Sequence, residues 1–268
     1  MEIRAYALAL LEADTLEGKL RPPPAELTDE HPGAPLRIQG PIRPSNLRHD
    51  PVRKVKVPPL SGMIDPHQRA RILHSLANHE LQAAELFAWA LLLFPDMPTS
   101  FRMGCVGILQ EEQEHCRLYL DRLTSLGHAF GDFGVTAHFW RKCEKVATPL
   151  EFICVMGLTF ENANLDFALE HAEAARAVGD EETARVLETV HEDETRHVAF
   201  AWRWFQKLKP AGADDWEVYC NTVRPPHGPD RARGATFDEA ARRAAGLSDD
   251  FIDKLAATDP TRPGGAAR

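Results

Sequence analysis

The sequence contains two Glu-x-x-His pairs, EQEH at residues 112–115 and ETRH at residues 194–197. Each pair follows a single glutamate in an apolar helical stripe: Glu80 lies 32 residues before Glu112, and Glu161 lies 33 residues before Glu194. One Glu-x-x-His is common by chance, but two copies of the same half-site at nearly the same spacing are not. The pattern predicts two similar helical hairpins that together form a four-helix bundle with a dinuclear metal site.

The composition is that of a globular protein with a sizeable core. The chain has 268 residues, of which 44% are hydrophobic and 26% are charged. Its net charge of -9 disfavours nucleic acid as a partner, because phosphate binding needs a basic surface. The longest apolar run, residues 86–94, is too short to cross a bilayer, so we expect no membrane partner.

The cysteines and the start of the chain indicate the compartment. The five cysteines form no Cys-x-x-Cys pair, and their number is odd. The first residues do not resemble a signal peptide. These features are typical of a reducing environment, so we expect a cytoplasmic protein.

Local start and stop signals predict four long helices, A to D. Asp65-Pro66 begins helix A, and the proline-rich turn after Phe94 ends it. Gly127 ends helix B, Thr148 and Glu151 form a capping box for helix C, and Asp180 caps helix D. The predicted helices are A at residues 66–94, B at 99–126, C at 149–178 and D at 181–208. The long connection between B and C can span one helix length, which is the one-crossover plan of a ferritin-like four-helix bundle.

The fold class is therefore all-α, with three segments. Residues 1–64 hold one helix at about residues 5–20 and a proline-rich arm that packs on the bundle, with a flexible linker as the alternative. Residues 65–209 form the bundle, with one short helix at 138–145 inside the B–C connection. Residues 210–268 form an extension with short helices at 237–244 and 249–256 and a disordered tail at 263–268.

Six polar residues occupy positions where an aliphatic side chain would normally pack. A buried carboxylate without compensation costs several kcal/mol, and two divalent cations would balance four carboxylates. The A–B turn near residue 96 is 16 residues from both Glu80 and Glu112, so the two lie at one height in an antiparallel hairpin. The predicted metal ligands are Glu80, Glu112, His115, Glu161, Glu194 and His197. Surface acids with two core histidines are the alternative reading.

Several neighbouring residues compete with or support this set. Glu188 and His191 form a third Glu-x-x-His pair, and Glu85 is a second acid in helix A, but both glutamates lie off the apolar stripe. We interpret them as residues at the surface or as neighbours of the ligands that do not bind the metal themselves. Asp193 and Glu111 each precede a ligand glutamate and could accept the second N–H of a ligating histidine, with plain surface charge as the alternative.

Tyr119 follows His115 by four residues and shares its helix face. A redox role or a hydrogen bond to a ligand is one interpretation, and an ordinary core aromatic is the other. Trp202 and Trp204 follow His197 and are expected to serve packing rather than electron transfer.

Three segments resemble a known family. NHELQAAEL at residues 78–86, LGHAFGDF at 126–133 and DETRHV at 193–198 are similar to the signatures of a bacterial family of ferritin-like proteins known only as domain of unknown function 455, DUF455. The likeness runs from near the start to about residue 257. It implies a ferritin-like fold and a dinuclear carboxylate site at the six positions above. Many members have a histidine two residues before the first glutamate, where this chain has Asn78, with His79 one place later.

The expected function is that of an oxygen-dependent di-iron oxygenase or oxidase acting on a small organic substrate. Glu112 and Glu194 would bridge two iron ions, Glu80 and Glu161 would be terminal ligands, and one histidine would bind each ion. Manganese or a mixed Mn/Fe pair is the alternative metal content, and an external electron donor is a further partner. We expect a monomer or dimer rather than a cage. The alternative functions are a ferroxidase, iron-handling or peroxide-scavenging protein, and a non-enzymatic helical scaffold.

Overall fold

A computed structural model describes residues 1–49, 55–223 and 228–260, and the regular secondary structure in these ranges is helical. No β-strand occurs in those ranges, and one isolated bridge pairs Glu2 with Thr28. The all-α class is therefore confirmed. Across the same ranges, no helix is long and apolar enough to cross a membrane. The predicted tail at residues 263–268 lies outside the described residues.

The chain divides into two compact units, which are residues 1–57 with 66–144, and residues 58–65 with 145–268. Each unit contains one of the two long hairpins that the sequence predicts. Their assembly into a ferritin-like four-helix bundle stays a prediction.

The first unit is built on one hairpin of two long helices. Its helices are α1 (Ile3–Glu12), α2 (Leu16–Lys19), α3 (Pro66–Leu93), α4 (Thr99–Ser125) and α5 (His138–Cys143). The bounds of α3 and α4 agree with predicted helices A and B to within one residue. A short turn joins them, so they pack as an antiparallel pair. Gly127, at a φ of 79°, takes the left-handed conformation that ends α4.

The single helix predicted at residues 5–20 is wrong, because the segment forms α1 and α2. Ala13 is extended between them, with φ -63° and ψ 128°. The Thr15 side chain accepts a hydrogen bond from the Gly18 backbone N–H, at 3.1 Å, and so caps a new helix. A threonine placed as an N-cap stabilises a helix start, and here it interrupts an otherwise continuous amphipathic pattern.

Hydrogen bonds tie the described part of the proline-rich arm to this hairpin. The Trp89 indole N–H donates to the Ile38 carbonyl at 3.0 Å, and the Leu36 backbone N–H donates to the Leu92 carbonyl at 2.9 Å. The buried Arg102 guanidinium pairs with Asp29 at 2.8 Å. These contacts position residues 29–38 on α3 and α4 within the first unit.

The second unit is built on the other hairpin, whose first arm changes helix type. Its helices are α6 (Pro149–Phe152), a π-helical segment (Ile153–Glu161), α7 (Asn162–Ala177), α8 (Glu181–Leu208), α9 (Asp215–Thr222), α10 (Glu239–Ala244) and α11 (Asp249–Ala256). The capping box of Thr148 and Glu151 and the Asp180 cap of α8 are present as predicted. Helix α9 was not predicted, whereas α11 has the predicted bounds.

Predicted helix C is helical without a break from Pro149 to Ala177, but its middle part, Ile153–Glu161, is π-helical, which was not predicted. A Cβ on Gly157 would lie 2.2 Å from the Cβ of Ala201, so the backbone approaches α8 more closely than any larger residue allows. The Thr159 hydroxyl donates to the Cys154 carbonyl at 2.8 Å and lies 2.8 Å from the Tyr219 hydroxyl. These contacts stabilise a rare helix type that often occurs at functional sites.

A buried ion pair ties the extension after residue 210 to α7. The Asp166 carboxylate accepts hydrogen bonds from both terminal nitrogens of Arg242, at 2.7 and 2.8 Å. It also accepts from the backbone N–H groups of Gly234 and Asp238, at 2.8 Å each. Both side chains are fully buried. The Asp166 carboxylate thus positions α10 and the loop before it.

In the first unit, a buried histidine makes stability sensitive to acid. His74 accepts a hydrogen bond from the Gly131 backbone N–H at 2.9 Å, and its ring packs on Phe130 and Phe133. Burial lowers the pKa of His74 to about 4. The unfolded chain therefore binds this proton first as the pH falls through its ordinary value near 6.5, and the folded state loses stability until about pH 4.

We expect His74→Gln to remove this contribution, because glutamine can still accept the Gly131 hydrogen bond and does not titrate. The stability lost between pH 7 and pH 4 should be smaller than in the wild type by up to about 3 kcal/mol. Urea denaturation at several pH values measures it. His31→Gln is the control, since the His31 side chain is 82% exposed. Equal pH profiles for His74→Gln and the wild type would contradict the expectation.

Candidate metal centre

The first unit brings three of the predicted ligands together. Glu80 lies on α3, and Glu112 and His115 lie on α4. Each offers one ligand atom, and these atoms lie within 4.8 Å of one another. All three side chains are buried, with exposed fractions of 5% for Glu80 and 0% for the other two. We call these three residues cluster 1.

The second unit brings the other three together in the same way. Glu161 is the last residue of the π-helical segment, and Glu194 and His197 lie on α8. Their ligand atoms also lie within 4.8 Å of one another, and the side chains are at most 5% exposed. His197 Nδ1 lies 3.0 Å from Glu194 Oε2. We call these three residues cluster 2.

Cluster 2 has a neighbour that the sequence reading missed. The Asn164 side-chain amide donates to Glu194 Oε1 at 2.8 Å. Asn164 follows Glu161 by three residues, so both lie on one face of their helix. That spacing was the available signal, but a polar residue at such a position is too common to stand out. The hydrogen bond fixes one oxygen of the Glu194 carboxylate.

The two clusters have the same donor set of two carboxylates and one imidazole. With a neutral imidazole, each set carries a formal charge of about -2, which one divalent cation would balance. Oxygen and imidazole nitrogen ligands suit iron, manganese and zinc, whereas the absence of a thiolate disfavours the softest metals. The residues in each unit therefore fit the metal that the sequence predicts.

The side chains of the third Glu-x-x-His pair, Glu188 and His191, contact residues outside both clusters. The half-exposed Glu188 forms an ion pair with Arg176 at 2.6 Å. His191 Nε2 lies 2.9 Å from Asp238 Oδ2. The interpretation of Glu188 as a surface residue is confirmed.

Glu85 is not a surface residue, which corrects that part of the prediction. Its carboxylate is fully buried and lies 3.1 Å from Lys19 Nζ and 2.6 Å from an Arg43 nitrogen. The Trp140 indole N–H donates to it at 2.9 Å. Burial alone would raise the pKa of Glu85, but the charges of Arg43 and Lys19 hold it below its ordinary value. The prediction assumed that only one face of α3 is buried. In the structure α1 packs on α3 and the arm covers more of it, so further faces are buried.

The residues before Glu80 have roles within the first unit. Asn78 is buried, accepts a hydrogen bond from Arg43 at 2.8 Å and donates to the Thr136 carbonyl at 3.0 Å. His79 is half-buried and stacks on Phe139, with the ring centroids 5.0 Å apart. Neither is part of cluster 1. Asn78 thus joins the arm to the segment after α4.

The roles suggested for the other neighbouring residues stay predictions. Tyr119 is buried on α4, one turn after His115. Asp193 accepts a hydrogen bond from Arg196 on the same helix at 2.6 Å, near the surface. Glu111 is half-buried on α4. Trp202 packs against Phe205 and Phe251, as expected of a core aromatic.

Comparison with known proteins identifies a family, but its description states no activity. The model of the family described as "Protein of unknown function (DUF455)" matches residues 7–253. No curated protein and no solved structure matches the chain. The matched range includes both clusters, the arm and most of the extension. The chain therefore belongs to the DUF455 family.

Proposed function

We propose that the protein binds two iron ions, one at each cluster, and uses them with dioxygen to oxidise a small organic molecule. The observation that supports this most strongly is the repeat of one buried donor set, two carboxylates and an imidazole, in two units of a single chain. Identical donor sets favour identical metals in similar oxidation states. Iron in such a site would supply the redox chemistry, since carboxylates can change their binding mode as the charge of the metal changes.

The chain's own side chains would position the metals and keep water away. Helices α3, α4 and α8 hold five of the six ligands on regular backbone, which fixes their geometry better than loops would. The Asn164 amide would hold one Glu194 oxygen and leave the other to the metal. Burial of all six side chains lowers the local dielectric and strengthens their attraction to a cation.

Manganese would suit the same donors. The same donors would also suit a ferroxidase, whose substrate is iron itself. An iron-storage protein would require a large symmetric assembly, which size-exclusion chromatography would detect. Purified protein without bound metal, after growth in supplemented medium, would instead favour the non-enzymatic scaffold.

We expect Glu112→Ala and Glu194→Ala each to lose bound metal, because each removes a carboxylate from one cluster. Metal analysis after anaerobic loading with ferrous iron should give two ions per chain for the wild type and fewer for each variant. Glu188→Ala is the control, since Glu188 pairs with Arg176 on the surface, and it should keep both ions. Glu85→Ala is unsuitable, because it would leave Lys19 and Arg43 buried without their carboxylate. Full iron content in Glu112→Ala and Glu194→Ala would contradict the ligand assignment.

We expect Asn164→Ala to weaken iron binding at cluster 2 by about 10- to 100-fold, as removal of a hydrogen bond that orients a ligand does in other metal sites. Cluster 1 should be unaffected, so an iron titration should show one strong and one weakened step. Asn221→Ala, a change of the same kind on α9, is the matched control. Two unchanged steps in Asn164→Ala would show that its hydrogen bond does not support a metal ligand.

Exposure of the ferrous protein to air tests the reaction itself. We expect an absorbance change that consumes dioxygen and that is accelerated by one class of small organic molecule, which would then identify the substrate class. The double variant Glu112→Ala/Glu194→Ala should show no such change. Iron uptake far beyond two ions per chain would instead support iron handling.

A further inference from the structure

The first unit contains a cavity that the proposed metal sites do not use. It encloses about 660 Å³, within the range of small-molecule sites. Residues 37–43 with 48 and 49 of the arm line it, together with Trp89 of α3 and six residues between 136 and 144. The proline-rich arm therefore builds half of a ligand-sized pocket.

The lining of the cavity is strongly basic. Four arginines, Arg37, Arg43, Arg48 and Arg141, line it together with a single carboxylate, that of Glu144. Arg37, Arg48 and Arg141 are exposed to solvent. Within the protein, Arg37 Nη1 donates to the Glu144 carbonyl at 3.3 Å and Arg48 Nε donates to the Arg43 carbonyl at 3.4 Å. This excess of positive charge is notable in a chain whose net charge is -9.

A buried excess of positive charge lies beside the cavity. Arg43 and Lys19 both pair with the one carboxylate of Glu85, and all three side chains are buried. Two cations thus share one anion in a region of low dielectric, where charges act over longer distances than in water. The positive potential in the cavity is therefore stronger than its exposed arginines alone would produce.

The cavity also offers aromatic surface. Trp89 and Trp140 line it and meet edge to face, with ring centroids 6.1 Å apart, and the Arg37 guanidinium lies 5.2 Å from the Trp89 ring centroid. Both indole N–H groups are already used, by the Ile38 carbonyl and by Glu85. Trp140 is half-buried and therefore presents apolar and π surface to a ligand rather than a hydrogen-bond donor, whereas Trp89 is only 2% exposed.

We propose that this cavity binds a small organic anion, a carboxylate or phosphate attached to a planar or aromatic group. Guanidinium groups pair with planar oxyanions through two parallel hydrogen bonds, which suits the exposed Arg37, Arg48 and Arg141 in the cavity lining. The planar part of the ligand would pack against Trp140. The binding requires no metal, so the proposal is independent of the function proposed above.

Calorimetric titration of the full-length protein with matched pairs of probes tests the proposal. Benzoate is paired with neutral benzamide, and phenyl phosphate with phenol, while inorganic phosphate tests whether the aromatic part contributes. We expect at least one aromatic anion to bind saturably, about tenfold or more tightly than its neutral partner and than inorganic phosphate, and more weakly as salt increases. The stronger of the two anions identifies the acidic group. Absence of saturable binding by either anion up to about 10 mM would overturn the proposal.

Two kinds of variant locate the binding. The triple variant Arg37→Gln/Arg48→Gln/Arg141→Gln should weaken the anion about tenfold or more. Its matched control, Arg21→Gln/Arg185→Gln/Arg203→Gln, makes the same charge change at exposed positions outside the cavity and should bind as the wild type does. Ala137→Phe fills the cavity without a charge change and should also abolish binding. Equal loss of affinity in both triple variants, with Ala137→Phe unchanged, would show that the anion binds elsewhere.

Discussion

The compensation of buried carboxylates is the constraint on which the rest of this structure depends. A carboxylate inside a helical core is costly unless positive charge or hydrogen-bond donors face it. Glu85 and Asp166 show one solution, in which arginine or lysine occupies the carboxylate oxygens. In each case the cation comes from a distant part of the chain, so the ion pair also fixes the position of the arm or of the extension.

The two clusters show a different solution. In cluster 1 and cluster 2, two carboxylates meet a histidine within 4.8 Å. A bound guanidinium occupies carboxylate oxygens permanently, whereas carboxylates beside a neutral imidazole form a donor set that a divalent cation can join. The same chain thus compensates Glu85 and Asp166 with arginine or lysine, and it places a histidine beside the paired carboxylates of each cluster.

What the sequence predicts well is local, and what it misses depends on packing. The ends of α3, α4 and α8 follow from caps, prolines and glycines within a few residues, so Asp180 and Gly127 could be assigned from sequence alone. The π-helical segment could not, because the contacts that accompany it, Gly157 with Ala201 and Thr159 with Tyr219, join residues that are far apart in the chain. The six candidate ligands were found because they interrupt an apolar pattern, which is also a local signal.

Glu85 is a second case in which long-range packing, invisible in the local sequence, made the prediction wrong. Its position off the predicted apolar stripe suggested solvent, because a helical pattern distinguishes one buried face from the rest. Helix α3 is instead covered by α1 and by the arm, and the residues that compensate Glu85 lie 66 and 42 positions earlier in the chain. Pairing over such separations leaves no periodic trace in the sequence.

The Arg43–Glu85 pair also gives the proline-rich arm a fixed place. If the arm left α3, Arg43 would abandon Glu85 and Asn78, and Glu85 would stay buried with Lys19 as its remaining cation. Breaking a buried pair in this way costs about 3–5 kcal/mol, a large part of the stability of an ordinary domain. Arg43 belongs at once to this pair and to the wall of the basic cavity. The contacts that hold the arm on α3 therefore also hold Arg43 in the lining of the cavity.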